Sequence, residues 1–442
     1  MNSQEVNVFE EIISPLVPLL EEEAINLGDD IKKYKFSLLP FTLNLLYGII
    51  NGIKTISLLI THLKSLPNIN ELPFMKASKS MYSEAFIRYE PIIFRRIFYK
   101  LLEKTNFLLI DEIKTLGRFY CVDGSVFPAI QTMMWASYKK TKNAIKLHLA
   151  FDLNRMIPVE FISTEANASE RKMLLKMIEA GVTIIADRGY VCFNTFKEIC
   201  LNRAYFIIRG KSNLLYEIKE ILPIEIPDSW KSLVSEVKDF KVEFKNDKHS
   251  QHYRVVSFIA LGESFLLITN RFDLKTHEVI MLYAYRWQVE LIFRFFKRTL
   301  NALHLMSHDP RGIEIQFTLH MIAYLLLLSF KQRCNLEQEN MEECNDINLG
   351  GSDLEQDNME ECNDVNLEEN NIEKSKNIDN KVGIEFSSLN EQQSSKDNVC
   401  GLVSLLGKRL QKYWKIGIHW LTTIRNLLFE PFTPEIVKTI YA

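Results

Sequence analysis

The hydrophobic period changes at residue 118, and that change constrains the fold more than any other feature of the 442-residue chain. Upstream, Leu45, Ile49, Ile53, Ile56 and Ile60 recur at helical spacing, and Ile87, Ile92, Phe94, Ile97 and Leu101 do so more loosely. Pro67 and Pro73 break the pattern between them. Downstream, Arg118 to Asp123 reads as a strand that ends in an acid and turns at Gly124-Ser125. Lys146 to Leu153 and Ile157 to Thr164 read as two more strands, and Ala168 to Ala180 as a helix stopped by Gly181. Val182 to Ala186 is a buried-strand pattern that again ends in an acid, Asp187.

Three strands, a helix and a further strand is the opening order of a ribonuclease H-like sheet, so the fold class is α/β. Tyr205 to Ile208, Tyr253 to Ile259 and Phe265 to Thr269 are β-rich runs, read as an insertion at 204–278. Val279 to Leu300 and Ile315 to Phe330 then read as helices. The domain plan is a helical region over 1–105 and a core in two parts, 106–203 and 279–333, around that insertion. An acidic insert (334–398) and a C-terminal helical segment (399–442) follow. Ser78 and Ser80 precede a helical run, so a helix-turn-helix for DNA ends fits the first region; a plain packing domain fits equally.

Leu336 to Leu349 (LEQENMEECNDINL) repeats almost word for word at Leu354 to Leu367 (LEQDNMEECNDVNL). Two acidic, Asn-rich copies without aromatics cannot stack into a solenoid, and the segment reads as a disordered insert. Asn335 to Asn398 holds 18 acidic and 4 basic residues, so the net charge of −3 hides a body with 49 basic and 38 acidic residues. That balance suits a polyanionic partner. Seven cysteines form no CxxC pair, which argues against a disulfide framework or a zinc site. The N-terminus lacks the order of a secretory signal, and Ile322 to Leu328 is too short to span a bilayer. A cytoplasmic protein with no membrane role is expected.

The chemistry concentrates in Tyr283, Arg286, Glu290 and Lys297. On one continuous helix these project within roughly a 60° wedge, beside an apolar stripe. A carboxylate among a phenol, a guanidinium and an ammonium suits a metal ligand flanked by phosphate clamps; the same spacing also suits a salt-bridged helix face. Acids at strand ends, as at Asp123 and Asp187, point into the crevice where such sheets bind ligands. Three carboxylates can hold two Mg²⁺ ions, with Mn²⁺ as substitute, for in-line displacement at phosphorus. Arg188, Arg209 and Lys211 suit a DNA path or solvated loops. Trp230 could stack on an extruded base, although nothing local supports it. His148 reads as a core or rim histidine, and His249 and His252 as an exposed loop.

The residues resemble a known family. Tyr283-x2-Arg286-x3-Glu290-x6-Lys297 matches the signature of the insertion sequence 4 family of DDE transposases. Asp123-Gly124-Ser125 and Asp187-Arg188-Gly189-Tyr190 look like its two aspartate motifs, and Phe206 to Lys211 is similar to its following strand. The resemblance implies a ribonuclease H-like core with a β-rich insertion, and Asp123, Asp187 and Glu290 as ligands of two Mg²⁺. It further implies phosphate contacts from Tyr283, Arg286 and Lys297, and cut-and-paste transposition through nicking, hairpin formation and strand transfer. The partners implied are double-stranded DNA, at transposon ends and target, and a second copy in a homodimeric synaptic complex in the nucleoid. The acidic insert departs from the family pattern and leaves two alternatives open: a catalytically silent DNA-binding relative, or a metal-dependent nuclease on the same core.

Overall fold

The computed structural model describes residues 9–28, 34–66, 74–104, 111–139, 142–211, 213–231, 233–260 and 262–349, with side chains to Arg333. The second copy of the repeat, the rest of the insert and the 399–442 segment lie outside the described residues. Among the described residues before the sheet lie the helices α1 (Val17–Asn26), α2 (Leu38–Ile50), α3 (Ile56–Lys64), α4 (Lys79–Arg88) and α5 (Pro91–Lys104). The helical period through Ile53 predicts one helix, but the chain turns between α2 and α3. Gly52 takes φ +65° there, a left-handed conformation that glycine adopts without strain. Ser78 caps α4 by accepting from Met81 N, as its position predicts. Pro91 opens α5, where its missing N–H costs nothing. Three cations of α5 are paired within the protein: Arg95 with Glu160 and Glu314, Arg96 with Glu23, and Lys100 with Glu22 and Glu23.

After the short helix α6 (Asp111–Lys114), the chain enters a ten-stranded mixed sheet. Its strands are β1 (Arg118–Ala129), β2 (Ser137–Lys139), β3 (Lys142–Asp152), β4 (Ile157–Glu165), β5 (Val182–Ala186) and β6 (Tyr205–Arg209). β7 (Tyr216–Ile221), β8 (Val234–Phe244), β9 (His252–Ala260) and β10 (Glu263–Thr269) complete it. β3 lies antiparallel between β1 and β4, while β1, β5 and β6 run parallel. Helices α7 (Glu170–Lys176) and α8 (Phe193–Leu201) connect β4 to β5 and β5 to β6.

Four differences from the sequence reading bear on the site. β1 does not end at Asp123; Gly124 and Ser125 continue the ladder opposite His148 and Leu147. The predicted insertion is no separate layer. β6 pairs parallel with β5, and β10, β9, β8 and β7 extend the same sheet from it, so the boundary at 204 falls too early. His252 belongs to β9 and not to a loop. The segment read as one helix from Val279 to Leu300 is two: α9 (Thr276–Ala284) and α10 (Trp287–Arg298). Between them Gln288 N bonds Tyr285 O and Val289 N bonds Arg286 O, a tighter turn than the α-helix makes.

The last described element, α11, spans Pro310–Leu349. Its Pro310–Arg333 stretch is long and apolar enough to cross a membrane, contrary to the reading from the shorter Ile322–Leu328 run. However, 83% of the apolar window is buried, so the core takes up this surface. Residues 334–349, read as disordered, continue the helix. They are rich in the helix formers Leu, Glu, Gln and Met, and an established helix extends without paying for nucleation again.

Candidate active site

Asp123 stands in the middle of β1, on the strand face that carries Ser125 and Phe127. Its Oδ1 accepts from Gly124 N at 2.7 Å. Asp187 follows the last residue of β5 and folds back to accept from Gly189 N at 2.8 Å, which fixes the Arg188–Tyr190 turn. β1 and β5 are neighbours, so the topology brings these acids to adjacent strands although 64 positions separate them. Glu290 lies in the first turn of α10, a helix that packs against β1.

Arg286 links the set. Its Nη2 donates to Glu290 Oε1 at 2.6 Å, and its Nη1 stands 4.0 Å from Asp123 Oδ2. Burial works against its charge, but Tyr283, Glu290 and Asp123 more than compensate and raise its pKa. Lys297 Nζ donates to Ser125 Oγ at 2.7 Å and rests 4.9 Å from the Phe127 ring. Burial lowers its pKa, opposed by Asp123. Burial, joined by the charges of Asp187 and Glu290, pushes the Asp123 carboxyl up to about 7, against the Gly124 N–H and Arg286. Asp123, Ser125, Glu290, Arg294, Lys297 and Arg298 line an open cavity of about 260 Å³.

The structure therefore brings Asp123, Arg286, Glu290 and Lys297 together, with Asp187 close enough to act on Asp123 electrostatically. Tyr283 departs from the predicted wedge. It sits on α9, is 4% exposed, and burial raises its pKa; Arg286, Arg209 and Asp187 are the charges around it. It backs the site and does not open onto it. Arg188, Arg209 and Lys211 share a second cavity of about 620 Å³ with Phe265, and the Arg209 guanidinium lies 4.2 Å from the Phe265 ring. Trp230 stands apart, edge-on to His277. His148 is fully buried with Nε2 3.0 Å from Thr164 Oγ1, a core residue as read. The sequence reading missed Arg294 and Arg298; their spacing of four and eight residues from Glu290 was the available signal.

The three acids are hard oxygen donors suited to Mg²⁺ or Mn²⁺. Burial is the main reason the Asp123 pKa is raised, with the charges of Asp187 and Glu290 adding to it, and a cation at this carboxylate would oppose both. As they stand, no group of three His, Cys, Asp or Glu side chains among the described residues is arranged to hold an ion. Arg286 fills the place between Asp123 and Glu290.

Residues 114–326 match the family described as transposase DDE domain, a span that contains all three acids. A protein of Sinorhizobium fredii provisionally named transposase y4zB is 26% identical over 209 residues, 47% of this chain and 59% of the relative. Over that span the chain is similar to the DDE transposases. The probable transposase for insertion sequence element IS5377 of Geobacillus stearothermophilus is 26% identical over 197 residues, 44% of this chain and 51% of the relative. A Synechocystis protein provisionally named as the transposase for IS4SA is 22% identical over 260 residues, 56% of this chain and 70% of its own. The first two relatives are thus matched over little more than half their length. Membership of the insertion sequence 4 group is consistent with these matches.

Proposed function

We propose that this protein is a transposase that moves DNA by metal-dependent cut-and-paste on a ribonuclease H-like core. The observation that carries the reading is the convergence of Asp123, Glu290, Arg286 and Lys297 on one cavity, with Asp187 at the neighbouring strand tip. The strand order β4-β3-β1-β5-β6, with three antiparallel strands followed by two parallel to β1, supports the fold assignment. Asp123, Asp187 and Glu290 would hold the divalent ions once Arg286 turns from Asp123 towards a phosphate. The chemistry such ions supply is activation of an attacking water or 3′-hydroxyl and charge stabilisation of the leaving oxygen. Lys297 and Arg286 place the scissile phosphate, and Tyr283 packs behind Arg286 to limit its excursions. Arg188, Arg209 and Lys211 carry the flanking backbone. The substrate is double-stranded DNA at the element's inverted repeats, worked on in the nucleoid by a homodimer, through nicking, end hairpins and strand transfer.

The insertion of Arg286 between Asp123 and Glu290 also favours a second reading, a silent DNA-binding relative in which this pairing is permanent. One experiment separates the two. The full chain, given Mg²⁺ or Mn²⁺ and a duplex carrying the element's own terminus, should yield nicked and hairpin products, and Glu290→Gln should abolish both while leaving binding intact. Retained cleavage by Glu290→Gln would overturn the catalytic assignment. Binding without cleavage by the unaltered protein would favour the silent relative.

A further inference from the structure

A further carboxylate lies against both aspartate motifs. Glu170 is the first residue of α7, the helix between β4 and β5. A Cβ at Gly124 would stand 3.3 Å from Glu170 Oε1. One at Gly189 would stand 3.5 Å from Glu170 Oε2 and 2.9 Å from Asp187 Oδ1. Neither glycine takes a left-handed conformation, so what both provide is room for this carboxylate. Lys146 Nζ donates to Oε1 at 2.9 Å. Oε2, the oxygen on the Asp187 side, has no donor among the described residues.

The pleat of β1 sets Glu170 opposite Glu290. Asp123, Ser125 and Phe127 share the face on which α10 packs, where Lys297 reaches Ser125. Gly124 is paired with His148 and shares the other face with it and Lys146. Acids thus approach this corner from both sides of the sheet, with Asp187 at the strand end between them. Two buried polar atoms there have no partner among the described residues. One is the hydroxyl of Tyr190, a side chain 1% exposed, and the charges acting on it are those of Asp123, Glu170 and Asp187. The other is Nδ1 of the fully buried His148, 3.4 Å from the Gly124 Cβ position. An unpaired buried hydroxyl is costly, and a hydrated cation held by these carboxylates would give it a partner.

We infer that Glu170 is a fourth acid of the cation site, taking the ion beside Asp187 through Oε2. Carboxylate oxygens suit Mg²⁺ or Mn²⁺, in direct contact or through a bound water. Arg286 pairs with Glu290 and approaches Asp123, so it leaves this half of the set open. The inference rests on the proposed metal-dependent reading and adds a ligand to it.

The test is Mn²⁺ binding by the full chain without DNA, followed through the paramagnetic resonance signal of the free ion. Urea unfolding checks that each variant is folded; Glu170 and Lys146 are both partly exposed, so neither change strands a fully buried charge. Glu170→Gln keeps the size of the side chain and removes its charge. It should weaken Mn²⁺ binding roughly tenfold, because ligand charge sets affinity at oxygen-ligand sites. Asp187→Asn should weaken it to a similar extent. Lys146→Met breaks the same ion pair but keeps the carboxylate and removes an ammonium that repels the ion. It should bind Mn²⁺ as tightly as the unaltered protein or more tightly. Unchanged affinity in Glu170→Gln, with Asp187→Asn weakened, would overturn the fourth ligand while leaving the transposase reading intact. Weaker binding in both Glu170→Gln and Lys146→Met would also overturn it, since the pair would then only hold the shape of the corner. Failure of the unaltered protein to bind Mn²⁺ would overturn both this inference and the metal-dependent reading.

Discussion

Asp123→Asn should make the metal-free protein more stable, and the gain should depend on pH. In the fold burial, joined by the charges of Asp187 and Glu290, pushes the carboxyl up to about 7, well above the usual carboxylate value of about 4. Between these values the folded state holds a proton that the unfolded chain has released, so the native protein binds more protons. Stability therefore falls as pH rises from about 4 to about 7 and is level beyond. Some three pH units at 1.36 kcal/mol each place the full penalty near 4 kcal/mol above pH 7. The side chain keeps 22% of its exposure, and the new amide would set its own donors near Arg286. Both effects reduce the gain, and about 1–3 kcal/mol is expected at pH 8 and almost none at pH 4. Urea unfolding in EDTA at the two pH values, with unchanged m-values, measures this directly. Adding Mg²⁺ at pH 8 should stabilise the unaltered protein more than the variant, since a ligand of the native state shifts unfolding by mass action. A variant no more stable at pH 8 than at pH 4, relative to the unaltered protein, would refute the argument that Asp123 is electrostatically strained.

Arg254→Met should cost about 3–5 kcal/mol, because it strands the buried Asp239 carboxylate and frees the carbonyls of Arg271 and Leu274; a fall in urea midpoint checks it. Because Asp239 also accepts from Thr276 Oγ1 at the start of α9, the same change should loosen the approach to Arg286, visible as faster amide exchange in α9. Lys297→Met should weaken duplex binding and lower its salt slope by about one, read by anisotropy across a salt series, with folding retained. Ser78→Ala removes the cap of α4 and should cost about 0.5–2 kcal/mol in thermal or urea unfolding.

What the sequence disclosed and what it concealed both have physical reasons. Asp187 was legible because a fully buried strand carries no charge and is mostly apolar, here Val182-Thr183-Ile184-Ile185-Ala186, and the acid that ends such a run stands out. Asp123 was found for a partly mistaken reason. Gly124 looks like a turn residue, but it is a strand residue with crowded surroundings: a Cβ there would meet Glu170 Oε1 and Lys146 Cδ at 3.3 Å and His148 Nδ1 at 3.4 Å. A glycine kept for space and one kept for a turn look alike in sequence. β7 and β8 escaped because β7, at the sheet edge, carries charge and exposed positions where a buried strand would show apolar alternation. The pairing of β6 with β5 is non-local, so no window of sequence contains it.

The break after Ala284 has the largest consequence. Tyr-Ala-Tyr-Arg-Trp-Gln contains neither glycine nor proline, and the apolar period runs through it, so a single helix was the natural reading. On one helix, Tyr283, Arg286, Glu290 and Lys297 would share a face as four equivalent clamps. The tight turn at Tyr285–Arg286 separates them: Tyr283 turns into the core, while Arg286 enters α10 where it reaches Glu290 and approaches Asp123. Spacing alone could say that these residues belong together. The turn places them differently, and on the proposed metal-dependent reading Arg286 is the charge that would have to move before the acids could act together on a cation.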